Sequence, residues 1–186
     1  MRITGGIFRS LSLDYTHNKW VRPTSDKVRQ AVFNMLGSLE GKTFADVFSG
    51  TGSVGLEALS RGASYVFFLD HNPELIKKNI TKIKALNYKI LGGRLPQSLK
   101  KLDFRPDIYF IDPPFHDLKI LEQTLLALED FSHPETLFIV QQSSRIQSPR
   151  KTLHIVKEKN YGESKIIFYK RKELECIQGN GLTYQR

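Results

Sequence analysis

Apolar positions along the chain follow two rhythms. Val28, Ala31, Val32, Met35 and Leu36 recur at helical spacing, begin after Thr24 or Ser25, either of which can cap, and stop at Gly37, which predicts an amphipathic helix. From residue 43 onward short apolar runs alternate with helical patterns. Runs 43–48, 65–70, 88–91, 107–111 and 136–141 read as strands, and 53–61, 73–86, 96–102 and 118–128 as helices. This is the rhythm of βαβ units on a mostly parallel sheet. Runs 152–157 and 164–169 have no helical pattern between them and are joined through Lys159-Asn160-Tyr161-Gly162, which predicts a C-terminal antiparallel hairpin. Near the start, β-favouring residues 2–13 interrupted by Gly5-Gly6 predict a small N-terminal β-hairpin. The expected fold class is therefore α/β and Rossmann-like.

A chain of 186 residues suits one domain, with a hairpin extension over 1–20, a core over 21–172 and a polar, flexible tail over 175–186. No apolar run approaches the ~20 residues that cross a bilayer, and the N-terminus lacks a basic-then-apolar signal pattern, so a soluble cytoplasmic protein is expected. The single Cys176 excludes a disulfide framework and a multi-thiolate metal site. His17, His71, His116, His133 and His154 show no ligand spacing, and no metal is expected. With 28 basic and 19 acidic side chains the formal net charge is +9, which favours an anionic partner. Residues 31–74 run against that excess, with two basic and five acidic groups around a glycine-rich loop. A bare polyanion is a poor ligand for that loop.

The loop itself, Phe48-Ser49-Gly50-Thr51-Gly52-Ser53-Val54-Gly55, leaves a predicted strand and enters a predicted helix, and Asp70 ends the next strand 20 residues after Gly50. Glycines there let the backbone approach a ligand closely, and a carboxylate on the second strand can accept hydrogen bonds from ribose hydroxyls. Asp46, at the end of the first strand, separates the candidate nucleoside ligands. It would repel a pyrophosphate, whereas S-adenosylmethionine has no phosphate and carries a sulfonium and an ammonium. The plainer reading of Asp46 is a carboxylate that caps backbone N–H groups.

A second motif, Asp112-Pro113-Pro114-Phe115, follows the strand at 107–111. Two prolines make a stiff turn. Asp112 and the Pro113 carbonyl can accept hydrogens of a planar exocyclic amine, and Phe115 offers a stacking face for a base. A proline turn with a capping Asp and a core Phe is the alternative.

These motifs resemble those of the class I methyltransferases that use S-adenosylmethionine and carry an Asn/Asp-Pro-Pro-aromatic sequence for amino-group methylation. The run from Val21-Arg22-Pro23-Thr24-Ser25-Asp26-Lys27-Val28-Arg29 to Leu36, the glycine loop extended to Ala63, the Asp112 motif and Tyr161-Gly162-Glu163-Ser164 are together similar to the RsmD family of 16S ribosomal RNA guanine-N2 methyltransferases. The resemblance implies methylation of a guanine N2 in small-subunit ribosomal RNA, within an assembled or partly assembled subunit. It implies a cofactor site at Asp46, Phe48, Ser49, Gly50, Thr51, Gly52 and Asp70, with Asp112, Pro113, Pro114 and Phe115 holding the guanine. It also implies RNA contacts from a basic N-terminal region, Arg2, Arg9, Arg22, Lys27 and Arg29, with Thr24 beside them. Where many class I enzymes have an acid after the third strand, this chain has Leu91-Gly92-Gly93-Arg94. Adenine recognition is therefore expected from backbone groups there, and Arg94 joins the cofactor set. Phe115 stands where relatives commonly carry Tyr. A monomer is expected. Three other readings compete: an amino-methyltransferase acting on adenine N6 of DNA, on another RNA or on a protein amide; a non-catalytic RNA-binding assembly factor; and a nicotinamide oxidoreductase, against which Asp46 and the Asp112 motif both count.

Overall fold

The computed structural model describes residues 1–15, 24–114, 117–147 and 153–172. Helix α1 (Asp26–Leu36) is capped by Ser25, whose Oγ accepts from the Val28 N–H at 3.3 Å, and it ends at Gly37 with φ 73°. Strand β1 (Thr43–Val47), helix α2 (Ser53–Ser60), strand β2 (Tyr65–Asp70), helix α3 (Glu74–Ile80) and strand β3 (Tyr88–Gly92) follow. A 3₁₀ turn at Gln97–Lys101 leads to β4 (Ile108–Ile111), α4 (Leu118–Asp130) and β5 (Leu137–Ser143), and the described chain closes with β6 (Leu153–Tyr161) and β7 (Ser164–Arg171).

The seven described strands form one sheet in the order β3-β2-β1-β4-β5-β7-β6. The first five are parallel, and β7 runs antiparallel to both β5 and β6. Successive residues of the central strands enter opposite cores. Phe44, Phe68, Phe110 and Ile139 pack on the face covered by α1 and α2, while Ala45, Phe67, Tyr109 and Phe138 pack on the face that buries Leu121, Leu125 and Leu128 of α4. Burial on both faces explains why the strands read as continuous apolar runs rather than alternations. It also leaves the carboxyl ends of β1 and β4, where the strand order changes direction, as the open crevice of the sheet.

Three expectations change in detail. Helix α3 stops at Ile80 instead of reaching residue 86, because Lys82 and Ile83 turn into tighter bonds with the Asn79 and Ile80 carbonyls and the Thr81 hydroxyl donates to the Lys78 carbonyl at 2.8 Å. Leu86, which completed the apolar pattern, is exposed. The N-terminal hairpin forms as a short pairing, one antiparallel bridge of Arg2 with Ser12 and backbone bonds from the Ile3 N–H to the Leu11 carbonyl, the Ser10 N–H to the Ile3 carbonyl and the Leu13 N–H to the Met1 carbonyl. Its turn is also fastened to the end of α2: the Ile7 N–H donates to the Ser60 carbonyl at 2.8 Å and the Ser60 hydroxyl to the Gly5 carbonyl at 2.6 Å. The late hairpin is longer than 152–157 and 164–169 and carries an irregularity between Ile155 and Lys157. The expected tail at 175–186 lies outside the described residues.

Candidate active site

The glycine loop is built to leave β1 abruptly. Phe48, Gly50 and Gly52 take φ values of 65°, 54° and 75°, and the Phe48 and Ser49 N–H groups both donate to the Leu69 carbonyl, at 2.9 and 3.0 Å. A positive φ at Phe48 is strained for a residue with a Cβ, and such strain concentrates in ligand-binding loops. Gly55 has a different reason to be glycine: a Cβ there would lie 2.3 Å from Phe68 Cε1, so only a bare backbone lets α2 sit this close to β2. The Ser49 hydroxyl donates to the Asp46 carbonyl at 2.5 Å, which uses it to shape the loop. Asn79 of α3 clips the loop from behind. Its Nδ2 donates to the Thr51 and Asp14 carbonyls, both at 2.9 Å, and its Oδ1 accepts from the Asp14 N–H at 2.7 Å.

Three carboxylates converge on the crevice from three strands. Asp46, 2% exposed, accepts from the Gly55 N–H at 2.9 Å. It thus caps the first turn of α2 from the end of β1. Burial pushes its carboxyl well above the usual carboxylate range, and the charges of Asp112 and Asp70 push the same way against the Gly55 bond. Asp70 closes β2 and holds the loop, with Oδ2 accepting from the Gly50 N–H and Oδ1 from the Asn72 N–H, each at 2.8 Å. Asp112 follows β4; its N–H donates to the Val47 carbonyl at 3.2 Å, and its Oδ2 accepts from the Thr24 hydroxyl at 2.8 Å. Burial raises Asp112 to about 7, opposed by the Thr24 bond.

An acidic crevice with an open glycine turn fits a cationic, phosphate-free nucleoside. Among the described residues nothing lies within 4 Å of where a Cβ on Gly50 would sit. No phosphate would be stabilised beside Asp46, Asp70 and Asp112, whereas a sulfonium and an ammonium would relieve the mutual repulsion of those carboxylates. Arg94 is exposed after β3. Pro113 is buried and Pro114 exposed, and Phe115 and His116 lie outside the described residues.

The basic N-terminal set divides. Arg2, Arg9 and Lys27 are exposed. Arg22 lies outside the described residues. Arg29 is a correction to the expected RNA contacts: it is 0% exposed and cannot present its guanidinium to a phosphate. It points inward because Glu57 of α2 is buried beneath it. Its Nε donates to Glu57 Oε2 at 3.3 Å, its Nη1 to the Thr24 carbonyl at 3.1 Å, and its Nη2 to Asp26 Oδ1 at 2.9 Å and to the Arg2 carbonyl. Thr24 is a second correction, since it is 5% exposed and its hydroxyl faces Asp112 rather than solvent. Neither the Thr24–Asp112 pair nor the Asn79 clip was read from the sequence. A signal existed for Asn79 and Glu57, polar residues set inside apolar helical stripes.

This strand order, with a glycine loop after β1, an acid ending β2 and a stiff Asp-Pro-Pro turn after β4, defines a class I methyltransferase, and S-adenosylmethionine is the expected cofactor. The protein belongs to the RsmD family, whose model, described as conserved hypothetical protein 95, matches residues 1–170. The chain is 34% identical over 134 residues to ribosomal RNA small subunit methyltransferase D of Escherichia coli strain K12, covering 70% of this chain and 67% of that one. The protein of the same name from Haemophilus influenzae is 32% identical over 151 residues, covering 76% and 78%. Among solved structures, protein yhhF of Escherichia coli superposes with a TM-score of 0.77 at 30% identity, covering 92% of this chain and 98% of that one. The Thermus thermophilus hypothetical protein TTHA0928 also gives 0.77, at 27% identity over 91% and 99%.

Proposed function

We propose that the protein transfers one methyl group from S-adenosylmethionine to the exocyclic N2 of a guanine in small-subunit (16S) ribosomal RNA. Its setting is the cytoplasm and its substrate an assembled or partly assembled subunit. Among the described residues no helix is long and apolar enough to cross a membrane. The observation that carries the reading is the position of Asp112: a carboxylate at the end of β4, beside the acidic cofactor crevice, on a turn made rigid by two prolines.

When bound, S-adenosylmethionine supplies an electrophilic methyl on a sulfonium. The chain's own residues do the rest. Asp46 and the turn Gly50 to Gly52 hold the methionine end, with Phe48, Ser49 and Thr51 shaping the loop, and Asp70 receives the ribose hydroxyls. The N2 lone pair of guanine is delocalised into the ring, so the amine is a poor nucleophile until its hydrogens are drawn out of plane. Asp112 and the Pro113 carbonyl accept those hydrogens and aim the lone pair, Pro114 keeps the turn stiff, and Phe115 stacks on the base. Alignment of this kind accounts for much of the rate of transfers between bound partners. Arg2, Arg9, Arg22 and Lys27 face phosphates, which gives affinity without sequence choice.

The test is transfer of labelled methyl to unmethylated small subunits, with naked RNA and DNA in parallel, followed by nucleoside analysis. Labelled N2-methylguanosine from the subunits is the expected product. Label on adenine N6 in any nucleic acid would replace the guanine reading while keeping the enzyme class. Cofactor binding without transfer to any of these substrates would reject ribosomal RNA as acceptor, and absent binding would favour a non-catalytic RNA-binding factor.

A further inference from the structure

The second residue before α1 is held more tightly than a helix start requires. Ser25 already caps the helix, so Thr24 has no capping to do. Its carbonyl is gripped by Arg29 Nη1 at 3.1 Å, Arg29 is in turn anchored by Glu57 of α2, and the Thr24 hydroxyl donates to Asp112 Oδ2 at 2.8 Å. A chain of four side chains thus runs from inside α2, through the first turns of α1, to the acceptor carboxylate at the end of β4. Residues 24 and 112 are 88 positions apart.

We propose that Thr24 is a positioning residue for methyl transfer: its hydroxyl fixes the plane of the Asp112 carboxylate by occupying Oδ2, so that Oδ1 is the oxygen that receives the target amine. The proposal rests on the acceptor role given to Asp112 above. A carboxylate turns about its last torsion in a broad well, and a donor fixed to one oxygen removes that freedom. Arg29 and Glu57 hold the donor in place without touching the substrate. The same bond favours the ionised form of Asp112, the form whose Oδ1 accepts an amine hydrogen while Oδ2 accepts from Thr24. The titratable and charged groups nearest this pair are Asp46 of β1, Asp70 of β2 and Arg29 of α1: the charges of Asp112 and Asp70 raise the Asp46 carboxyl and Arg29 lowers it, and the substitutions below leave all of them in place.

The experiment compares the wild type with Thr24→Val, which keeps the shape and loses the hydroxyl, and Thr24→Ser, which keeps the hydroxyl. Steady-state transfer to small subunits is measured across pH with cofactor affinity alongside. Thr24→Val is expected to lower kcat by roughly tenfold or more, the usual effect of losing a hydrogen bond to a charged group, with cofactor Kd unchanged within twofold. Activity that needs ionised Asp112 rises with pH through its pKa; without the hydroxyl that pKa is higher, so the acid limb of kcat moves to higher pH. Thr24→Ser is expected to restore both. If valine is not accommodated, Thr24→Ala removes the hydroxyl without bulk.

A Thr24→Val enzyme with wild-type kcat and an unmoved acid limb overturns the proposal, and so does a Thr24→Ser enzyme as impaired as the valine variant. Full activity in Asp112→Asn would instead reject the acceptor role on which the proposal rests. Carboxyl-carbon NMR titration, with Asp112→Asn for assignment, needs no acceptor: an Asp112 signal titrating identically in wild type and Thr24→Val also overturns the proposal.

Discussion

The core beneath α1 and α2 and the crevice at the ends of β1 and β4 hold two kinds of carboxylate withdrawn from solvent. Glu57, enclosed by both helices, accepts from two guanidiniums, Arg29 at 3.3 Å and Arg61 at 2.8 Å, and also from the Thr4 N–H at 2.7 Å and hydroxyl at 2.8 Å. Asp46 and Asp112, at the carboxyl ends of β1 and β4, receive one neutral donor each among the described residues, the Gly55 N–H and the Thr24 hydroxyl, and burial raises both. The first kind is charge-compensated from within and fastens the N-terminal segment to the core. The second is left short of positive charge at the place where a sulfonium cofactor and an amine would arrive. Burial alone therefore does not mark an active site; burial without internal compensation does.

The largest effect separates the two kinds by chemistry. Asp112→Ala is expected to lower methyl transfer by roughly 10²–10³-fold, the range for losing a hydrogen-bonding group that positions the reacting atoms, while cofactor Kd stays within severalfold. Single-turnover transfer and calorimetric binding check this, and near-normal turnover would remove Asp112 from the acceptor site. Stability makes the converse comparison. Glu57→Gln is expected to destabilise the fold by about 3–5 kcal/mol, because each Glu57 oxygen accepts from a guanidinium and from Thr4, so an amide nitrogen on either side would face donors. Asp46→Asn is expected to leave stability unchanged or raise it, since an amide oxygen still accepts from Gly55 and a buried charge is gone. Urea unfolding of both variants decides the matter; equal losses would erase the distinction.

Asp70 lies between the two kinds, buried but bonded to backbone N–H groups of its own loop. Asp70→Ala is expected to raise the cofactor dissociation constant by roughly tenfold, equivalent to ~1.5 kcal/mol for one charged hydrogen bond. Titration calorimetry with S-adenosylmethionine measures it. Unchanged affinity would place the ribose elsewhere.

The same contrast explains what was legible in the sequence. Strand and helix types were readable because the central strands are buried on both faces and so are apolar throughout, and the glycine loop, Asp70 and the Asp112 turn were readable because their spacing is local. Helix α3 was drawn too long because Leu86 continues an apolar pattern that tertiary structure does not use. The N-terminal hairpin was legible in its two arms, which bond to each other, but not in the docking of its turn on Ser60, a partner no local pattern names. Arg29 was grouped with the surface cations for a related reason: a charged residue in a basic segment reads as solvated until a counterion from another helix is known. Thr24 and Asp112, far apart in the chain, carry no periodic signal that would join them.

Lys27 and Arg29 give the smallest and most discriminating form of the comparison. They stand two residues apart on α1, which places them about 200° apart around the helix, so one is exposed while the other is sealed against Glu57. If charge in this segment serves RNA, only the exposed member can release counterions from a phosphate. Lys27→Ala is therefore expected to reduce the slope of log affinity against log salt by about 0.7–0.9, to weaken binding of small-subunit RNA severalfold, and to leave unfolding within about 0.5 kcal/mol of wild type. Arg29→Ala should do the reverse, destabilising strongly while leaving the salt slope of the folded fraction unaltered. Filter binding at several salt concentrations reads the slope directly. A Lys27→Ala slope equal to wild type would take α1 out of the RNA interface and leave Arg2 and Arg9 as its basic members among the described residues.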